Sequence, residues 1–261
     1  MLRKGGSVVH NCRADPLFNM EQSIDEDYQA WEAYPKYRWL FNKLELSLSL
    51  GYDAGPACVP VKKSGKYIVR PIYNLYGMGM NAKVIDLDPV KDGDAMTYHS
   101  HIPPGHFWCE YFEGKHYSID FEKVDNRWVS ICVAEGKHKT KDNLTKFYSW
   151  EKVSVSMVEP HCSSEIQSIR HNLPSFLLYL KCKHLNIECI GKNIIEVHLR
   201  TGNDFLHNYP VGTTMFPIWT EEELDDCMEQ GARFIPNHCK EEYKYNASGY
   251  LKDVRKGYRL G

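Results

Sequence analysis

The chain has 261 residues, of which 43% are hydrophobic and 25% are charged, and its formal net charge is −2. This length and composition predict a globular protein with one large domain or two closely packed lobes. A net charge near zero provides no overall attraction to nucleic acid or anionic lipid, so the composition favours a small-molecule partner. The nine cysteines include no CxxC pair, which excludes the disulfide framework of a small secreted domain.

The beginning of the chain lacks the apolar stretch of a signal peptide, and no run of about 18 apolar residues occurs anywhere. We therefore expect a cytoplasmic protein that does not enter a membrane. Residues 15–34 contain six acidic residues and no basic one, which predicts that residues 1–37 form a solvated peripheral segment. The next stretch, 38–50, is rich in leucine and stops at Gly51, and we interpret it as a helix.

The rest of the chain alternates between β-rich and helical patterns. β-branched and aromatic runs separated by turn residues predict strands, with the three that begin at 105 forming an antiparallel meander. The predicted strands are 67–72, 82–86, 105–112, 117–123, 128–134, 184–190 and 193–199. A helix is expected from Ser163 or Ser164 to about Cys182, interrupted at Pro174, and a capping box predicts another over 220–231.

Two of these segments have the residue types that a nucleotide site needs. Arg70 ends a predicted strand just before Gly77 and Gly79, whose missing side chains let the backbone approach a phosphate. Further along, Glu196 and His198 are two apart on a predicted strand and therefore share one face. The two segments together offer a cation, a flexible glycine loop and possible metal ligands.

Four segments, taken in chain order, resemble the ATP-grasp enzymes, which include carboxylate-amine ligases. They are residues 37–46, 67–79, 107–120 and 185–200. The resemblance spans 38–205, and the compact build is similar to bacteriophage-encoded members. It implies an α+β fold in which two α+β lobes with antiparallel sheets sandwich the nucleotide. The expected division is a peripheral segment at 1–37, an N-terminal lobe at 38–112, a C-terminal lobe at 113–236 and a basic tail at 237–261.

The resemblance also implies roles for individual residues. Lys43, Arg70 and the glycines would contact phosphates, the hinge Glu110–Phe112 would face adenine, and Arg200 would contact the transferred phosphoryl group together with Arg70. The implied nucleotide-binding set is Lys43, Arg70, Gly77, Gly79, Glu110, Tyr111, Phe112 and His116. The implied metal ligands are Glu188, Glu196 and His198, holding Mg²⁺ or Mn²⁺.

This chain departs from the family pattern at three of these positions. Arg70 stands where lysine is usual, His116 where an acid is usual, and His198 where asparagine is usual. A histidine nitrogen suits magnesium less well than an amide oxygen does, which favours either manganese or a water between His198 and the metal. The implied reaction is ATP-dependent joining of a carboxylate to an amine through an acyl phosphate. The alternatives are a nucleotide-binding scaffold without turnover and a phosphotransferase of the same fold.

Other interpretations stay open at this point. Histidine and cysteine neighbours such as Cys182 and His184 could suggest zinc, although no recognised ligand spacing occurs. The other such pairs are His99 with His101, His161 with Cys162, and His238 with Cys239. Cys109 or Cys162 near a histidine could suggest a thiol nucleophile. The tail from Lys240 onward, with six bases against three acids and four tyrosines, could contact nucleic acid.

Overall fold

The structure is a computed structural model. It describes residues 24, 26–73, 75, 82–89, 102–138, 144, 147–154, 164–218, 233–236 and 256–259, with backbone alone at 204–205, 216–218, 233–236 and 256–259. Across this part of the chain, no helix has both the length and the apolar character that crossing a membrane requires. Three sequence predictions, the glycine loop at 77–79, the helix at 220–231 and most of the basic tail, lie outside the described residues.

Three short helices open the described chain. Helix α1, Asp27–Ala33, begins at a capping box formed by Glu26 and Gln29. A 3-10 helix, Pro35–Phe41, follows, and the side chain of Asn42 then accepts the Glu45 N–H to cap α2, Lys43–Ser49. The helix predicted over 38–50 is thus two helices divided at Asn42. Gly51 follows the end of α2 with a φ of +80°, a backbone conformation that favours glycine.

The acidic N-terminal segment is not a solvated arm throughout. Within α1, Asp27 and Ala30 are buried, and Glu26 just before it is buried too. Ala30 packs into the main core with Leu40 and Phe41 of the 3-10 helix. The prediction of a solvated segment is therefore wrong for Asp27, which pairs inward with His198 and Arg200, whereas Glu32 of the same helix is exposed.

A four-stranded antiparallel sheet forms the smaller layer. Its strands are β1 (Ala54–Pro56), β2 (Gly65–Pro71), β3 (Lys83–Leu87) and β4 (His106–Glu110), in the order β1-β4-β2-β3. The predicted meander is wrong in its first strand, because β4 pairs with β1 and β2 and not with the strand that follows it. Tyr67 and Trp108 meet edge to face at 5.4 Å in the core of this sheet.

An eight-stranded antiparallel sheet forms the larger layer, in the order β11-β12-β10-β7-β6-β5-β8-β9. Its strands are β5 (His116–Val124), β6 (Arg127–His138), β7 (Phe147–Val153), β8 (His184–Ile190), β9 (Asn193–His198), β10 (Thr214–Ile218), β11 (Arg233–Pro236) and β12 (Lys256–Arg259). The predicted hairpin of β8 and β9 is confirmed. Its turn contains Gly191, with a φ of +57°.

Over β5, β8 and β9, the large sheet has one apolar face and one polar face. Tyr117, Ile119 and Phe121 of β5 alternate toward a core that also contains Leu185 and Ile187 of β8. That core is covered by α3 (Ser164–His171) and α4 (Ser175–Leu178), which Pro174 separates as predicted. A further short helix, α5, spans Asp204–His207. The residues between the apolar ones, on β5, β8 and β9, line the opposite face and build the candidate site.

Candidate functional site

The register of the hairpin brings the predicted metal ligands together. Glu188 of β8 lies directly opposite Glu196 of β9, so the two side chains lie on the same face. His198 follows two residues later on that face. One ligand atom from each of these three residues lies within 4.8 Å of the others. The predicted set therefore meets in space, and it is the one group of at least three such side chains within metal-binding reach among the described residues.

Two predicted phosphate cations converge on the same carboxylate. The Lys43 Nζ at the start of α2 lies 2.5 Å from the Glu196 Oε1. An Nη atom of Arg70, at the end of β2, lies 3.7 Å from the same oxygen, and its other Nη donates to the Ile195 carbonyl at 3.0 Å. Both cationic side chains are buried, at 7% and 8% exposure. Residues more than 120 positions apart thus form one cluster of opposite charges between the two sheets.

The imidazole of His198 is oriented by a carboxylate of α1. Its Nδ1 lies 2.9 and 3.0 Å from the two oxygens of Asp27. Because an ionised carboxylate can only accept, we assign a hydrogen to Nδ1 as the donor. Burial alone would lower the pKa of His198, but the charge and hydrogen bond of Asp27 raise it above the usual value. The other nitrogen, Nε2, points between Glu196 and Glu188, 3.6 and 3.8 Å from their oxygens.

Asp27 also holds Arg200. The Arg200 Nε and one Nη donate to the two Asp27 oxygens at 2.9 and 3.2 Å, and the second Nη donates to the Thr201 carbonyl at 2.8 Å. Burial alone would raise the pKa of Asp27, yet His198 and Arg200 hold it well below its usual range. Asp27 is therefore ionised and shared by an imidazole and a guanidinium, and Arg200 is oriented with two N–H groups still available for a ligand.

His116, which the resemblance placed in the nucleotide-binding set, lies against a predicted metal ligand. Its Nε2 is 3.2 Å from an oxygen of Glu188. Burial alone would raise the pKa of Glu188, but the His116 hydrogen bond and the charges of His198 and Lys43 lower it to about 2. The ring of His116 packs edge to face on Phe147 and Trp150, at 4.9 and 5.6 Å. Its position at the metal cluster leaves its contact with the nucleotide a prediction.

The predicted adenine hinge joins the two sheets. The Glu110 N–H donates to the Asp53 carbonyl at 2.8 Å, and the Tyr111 N–H donates to Lys66 at 3.3 Å. Phe112 packs edge to face on Tyr52 with ring centres 4.7 Å apart. The amides of Glu110 and Tyr111 are thus used within the protein, and the contact of Glu110–Phe112 with adenine stays a prediction.

The loop after Arg200 is built on a buried carboxylate of β5. Asp120 is fully buried and accepts the backbone N–H groups of Gly202 and Asn203, both at 2.8 Å. It also accepts the side chains of Asn186 at 2.7 Å and His207 at 2.8 Å. Asp120 therefore fixes the loop that follows Arg200 relative to the sheet.

Asp27 and Asp120 were missed by the sequence reasoning. Asp27 lies in an acidic run that resembles an ordinary solvated surface, and no local pattern connects it to a residue 171 positions away. Asp120 did carry a signal, because it is a charged residue in the middle of the predicted strand 117–123, where an unpaired buried carboxylate would be costly. The position of Asp120 in the strand predicts that it has hydrogen-bond partners, but it does not identify those partners.

A small depression lies at the convergence point. It is lined by Lys43, Glu196, Val197 and His198, with Leu40 and Phe41 of the 3-10 helix. The residue pairs considered for zinc at 99–101, 161–162 and 238–239 lie outside the described residues, and Cys182 and His184 join no group of three potential ligands in the described part.

The residues present fit a divalent metal. Two carboxylates and one imidazole supply oxygen and nitrogen donors. Nε2 of His198 is buried and makes no hydrogen bond, although its ring is otherwise fixed. A buried polar atom without a partner is uncommon in folded proteins, and a metal would satisfy it. The nearby positive charges of Lys43 and Arg70 are what the phosphates of a metal–nucleotide complex require.

Comparison of the sequence with known proteins identifies no relative. No model of a known protein family matches the chain, and no curated protein matches it either.

Comparison of the structure with solved structures does identify a shared fold. The L-amino acid ligase of Bacillus licheniformis superposes with a TM-score of 0.52 at 10% identity, over 88% of this chain and 71% of the ligase. N5-carboxyaminoimidazole synthetase of Staphylococcus aureus, solved with ADP, gives 0.52 at 14% identity, over 87% and 68%. The Aspergillus clavatus carboxyaminoimidazole ribonucleotide synthase, solved with ATP, gives 0.50 at 10% identity, over 91% and 74%. The predicted ATP-grasp-like α+β fold with two antiparallel sheets is therefore confirmed.

Proposed function

We propose that this chain binds ATP with a divalent metal and joins a carboxylate to an amine. The observation that carries the proposal is the convergence of Lys43 and Arg70 on Glu196, because it unites the predicted phosphate cations with a predicted metal ligand. Three proteins of the same fold support the proposal: one is an L-amino acid ligase, one was solved with ADP and one was solved with ATP. We also propose that the carboxylate and the amine are both small molecules.

Each side chain has a distinct part in the proposed reaction. Lys43 and Arg70 bind phosphate oxygens, and Glu188, Glu196 and His198 would hold the metal. The metal, when bound, supplies positive charge that offsets the charge of the phosphate oxygens. Gly77 and Gly79 are proposed to close over the phosphates and exclude water. Glu110–Phe112 and His116 are proposed to contact the nucleoside.

The proposed chemistry has two transfers. A carboxylate oxygen of the acid attacks the γ-phosphorus of ATP, and the bond to the bridging oxygen breaks to give an acyl phosphate and ADP. The amine then attacks the acyl carbon, phosphate leaves, and the amine loses a proton to give the amide. Arg200 is oriented by Asp27 beside this site, and its free N–H groups are suited to the charge on the transferred group.

The test begins with calorimetric titration of ATP into the purified chain with Mg²⁺, with Mn²⁺ and without metal. The variants are Glu196→Gln and Arg70→Ala, with Glu151→Gln as the control, because Glu151 pairs with the exposed Lys137 across β6 and β7. We expect metal-dependent binding that weakens at least about tenfold in both site variants, as loss of a charge-assisted contact predicts. The control should match the wild type. Absence of binding by the folded wild type would refute the proposed function.

Turnover is tested separately, by release of ADP when carboxylic acids and amines are supplied together. A ligase needs both substrates and gives an amide with free phosphate. A stable phosphorylated product without the amine would identify a phosphotransferase, and binding without ADP release from any pair would identify a scaffold without turnover.

A further inference from the structure

We propose that Asp27 is a positioning residue that makes His198 a nitrogen ligand, and that the site therefore prefers manganese to magnesium. The inference rests on the proposed function, because it concerns the metal of that same site. It goes further by giving a role to α1, which precedes both sheets in the chain.

The orientation of the imidazole carries the first step. Nδ1 faces both Asp27 oxygens at 2.9 and 3.0 Å, so the hydrogen on this nitrogen is fixed toward α1. Nε2 is thereby directed into the space between Glu188 and Glu196, at 3.8 and 3.6 Å from their oxygens. The side chain is only 8% exposed, and Nε2 makes no hydrogen bond. A divalent ion placed among the two carboxylates would find this nitrogen already directed toward it.

Asp27 is itself held in place, which is the second step. Its side chain is 1% exposed, and the fork of Arg200 donates to both of its oxygens. The capping box at Glu26 fixes the first turn of α1. Rotation of Asp27 would leave Arg200 and His198 without their acceptor, so the carboxylate and imidazole keep one relative orientation.

The donor chemistry gives the third step. A carboxylate that accepts from one imidazole nitrogen fixes the ring and makes the other nitrogen a stronger ligand. Magnesium binds oxygen donors and tolerates nitrogen poorly, whereas manganese and later first-row ions accept imidazole readily. A site of two carboxylates and one positioned imidazole therefore discriminates against magnesium.

The experiment uses the full chain with Mn²⁺, in the presence and absence of a non-hydrolysable ATP analogue. Pulsed electron paramagnetic resonance detects coupling of bound Mn²⁺ to an imidazole nitrogen, and competition with Mg²⁺ gives the relative affinities. For the wild type we expect nitrogen coupling and an affinity for Mn²⁺ at least about tenfold above that for Mg²⁺. Both signals are independent of turnover.

Three variants separate positioning from ligation. His198→Asn should abolish the nitrogen coupling and the preference for Mn²⁺. Asp27→Asn keeps an acceptor but loses the charge, and we expect about tenfold weaker Mn²⁺ binding with reduced coupling. Glu151→Gln is the control, because Glu151 pairs with the exposed Lys137 across β6 and β7, and it should change neither quantity.

The outcomes distinguish this inference from the proposed function. Mn²⁺ bound without nitrogen coupling in the wild type would overturn the inference and leave the nucleotide proposal intact. Unchanged coupling and affinity in folded Asp27→Asn would overturn the role of Asp27 alone. No binding of metal or nucleotide by the folded wild type would overturn both.

Discussion

Replacement of Asp120 by asparagine should destabilise the protein strongly although it barely changes the shape of the side chain. Each carboxylate oxygen accepts two hydrogen bonds: one takes Asn186 and Gly202, and the other takes Asn203 and His207. Asparagine retains one oxygen, so one orientation of the amide leaves the donors of Asn186 and Gly202 facing an NH₂ group. The other orientation leaves the Asn203 N–H, because His207 can accept from the NH₂ group in its other tautomer. Asp120 is fully buried, and each buried unsatisfied donor costs about 1–3 kcal/mol. We expect Asp120→Asn to lower the free energy of unfolding by about 1–6 kcal/mol.

The assay is urea unfolding followed by tryptophan fluorescence, since Trp128 and Trp150 lie on strands of the same sheet. His207→Ala removes one donor and leaves three, so its effect should be smaller. Glu151→Gln disrupts a half-exposed ion pair and should change stability by no more than about 1 kcal/mol. A loss below about 1 kcal/mol in Asp120→Asn, or a loss equal to that of Glu151→Gln, would show that the four bonds do not act as described.

Further predictions concern titration and thiol exposure. The pKa of Glu188 is lowered from 4.5 to about 2, so in metal-free protein its contribution to stability is present above pH 4.5 and is lost as the pH falls toward 2. Glu188→Gln should flatten that part of the acid-unfolding curve, and an unchanged slope would contradict the ion pairing. The pKa of His198 is raised above 6.5, so its contribution is lost as the pH rises through the folded value, and His198→Asn should remove that alkaline loss. Iodoacetamide followed by mass spectrometry should label the exposed Cys58 and spare Cys109 and Cys182, because burial raises the pKa of both thiols, that of Cys182 to about 11. Equal labelling of Cys182 and Cys58 in the native state would be the opposite result.

The hairpin could be predicted from the sequence because its information is local. Alternation along 193–199 places Glu196 and His198 on one face, and the turn at Gly191 fixes the pairing of Ile190 with Asn193. Glu188 lies opposite Glu196 because the register shifts between Glu188 and Cys189, and the sequence analysis did not predict this irregularity. The short helix at Lys43 and the strand that ends at Arg70 were also found from local patterns. These elements account for the predicted cluster of metal ligands and cations.

The partners of these residues could not be predicted in the same way. β4 pairs with β1 and β2 although the next strand in sequence has an equally suitable pattern, because strand pairing depends on which sheet can bury the apolar face. The acidic run before residue 34 has the composition of a solvated segment, and the burial of Asp27 within it is favourable because Arg200 and His198 provide matching donors.

The sequence by itself thus determined which side chains share a face of each strand, since side-chain direction follows from the backbone period of two. Only the tertiary structure decided which distant charges meet. Lys43 and Glu196 are 153 residues apart, and Asp27 and Arg200 are 173 apart, so no periodicity or spacing connects them. The physical reason is that a buried charge is stable only beside a partner, and that partner is chosen by how the helices and the two sheets pack together.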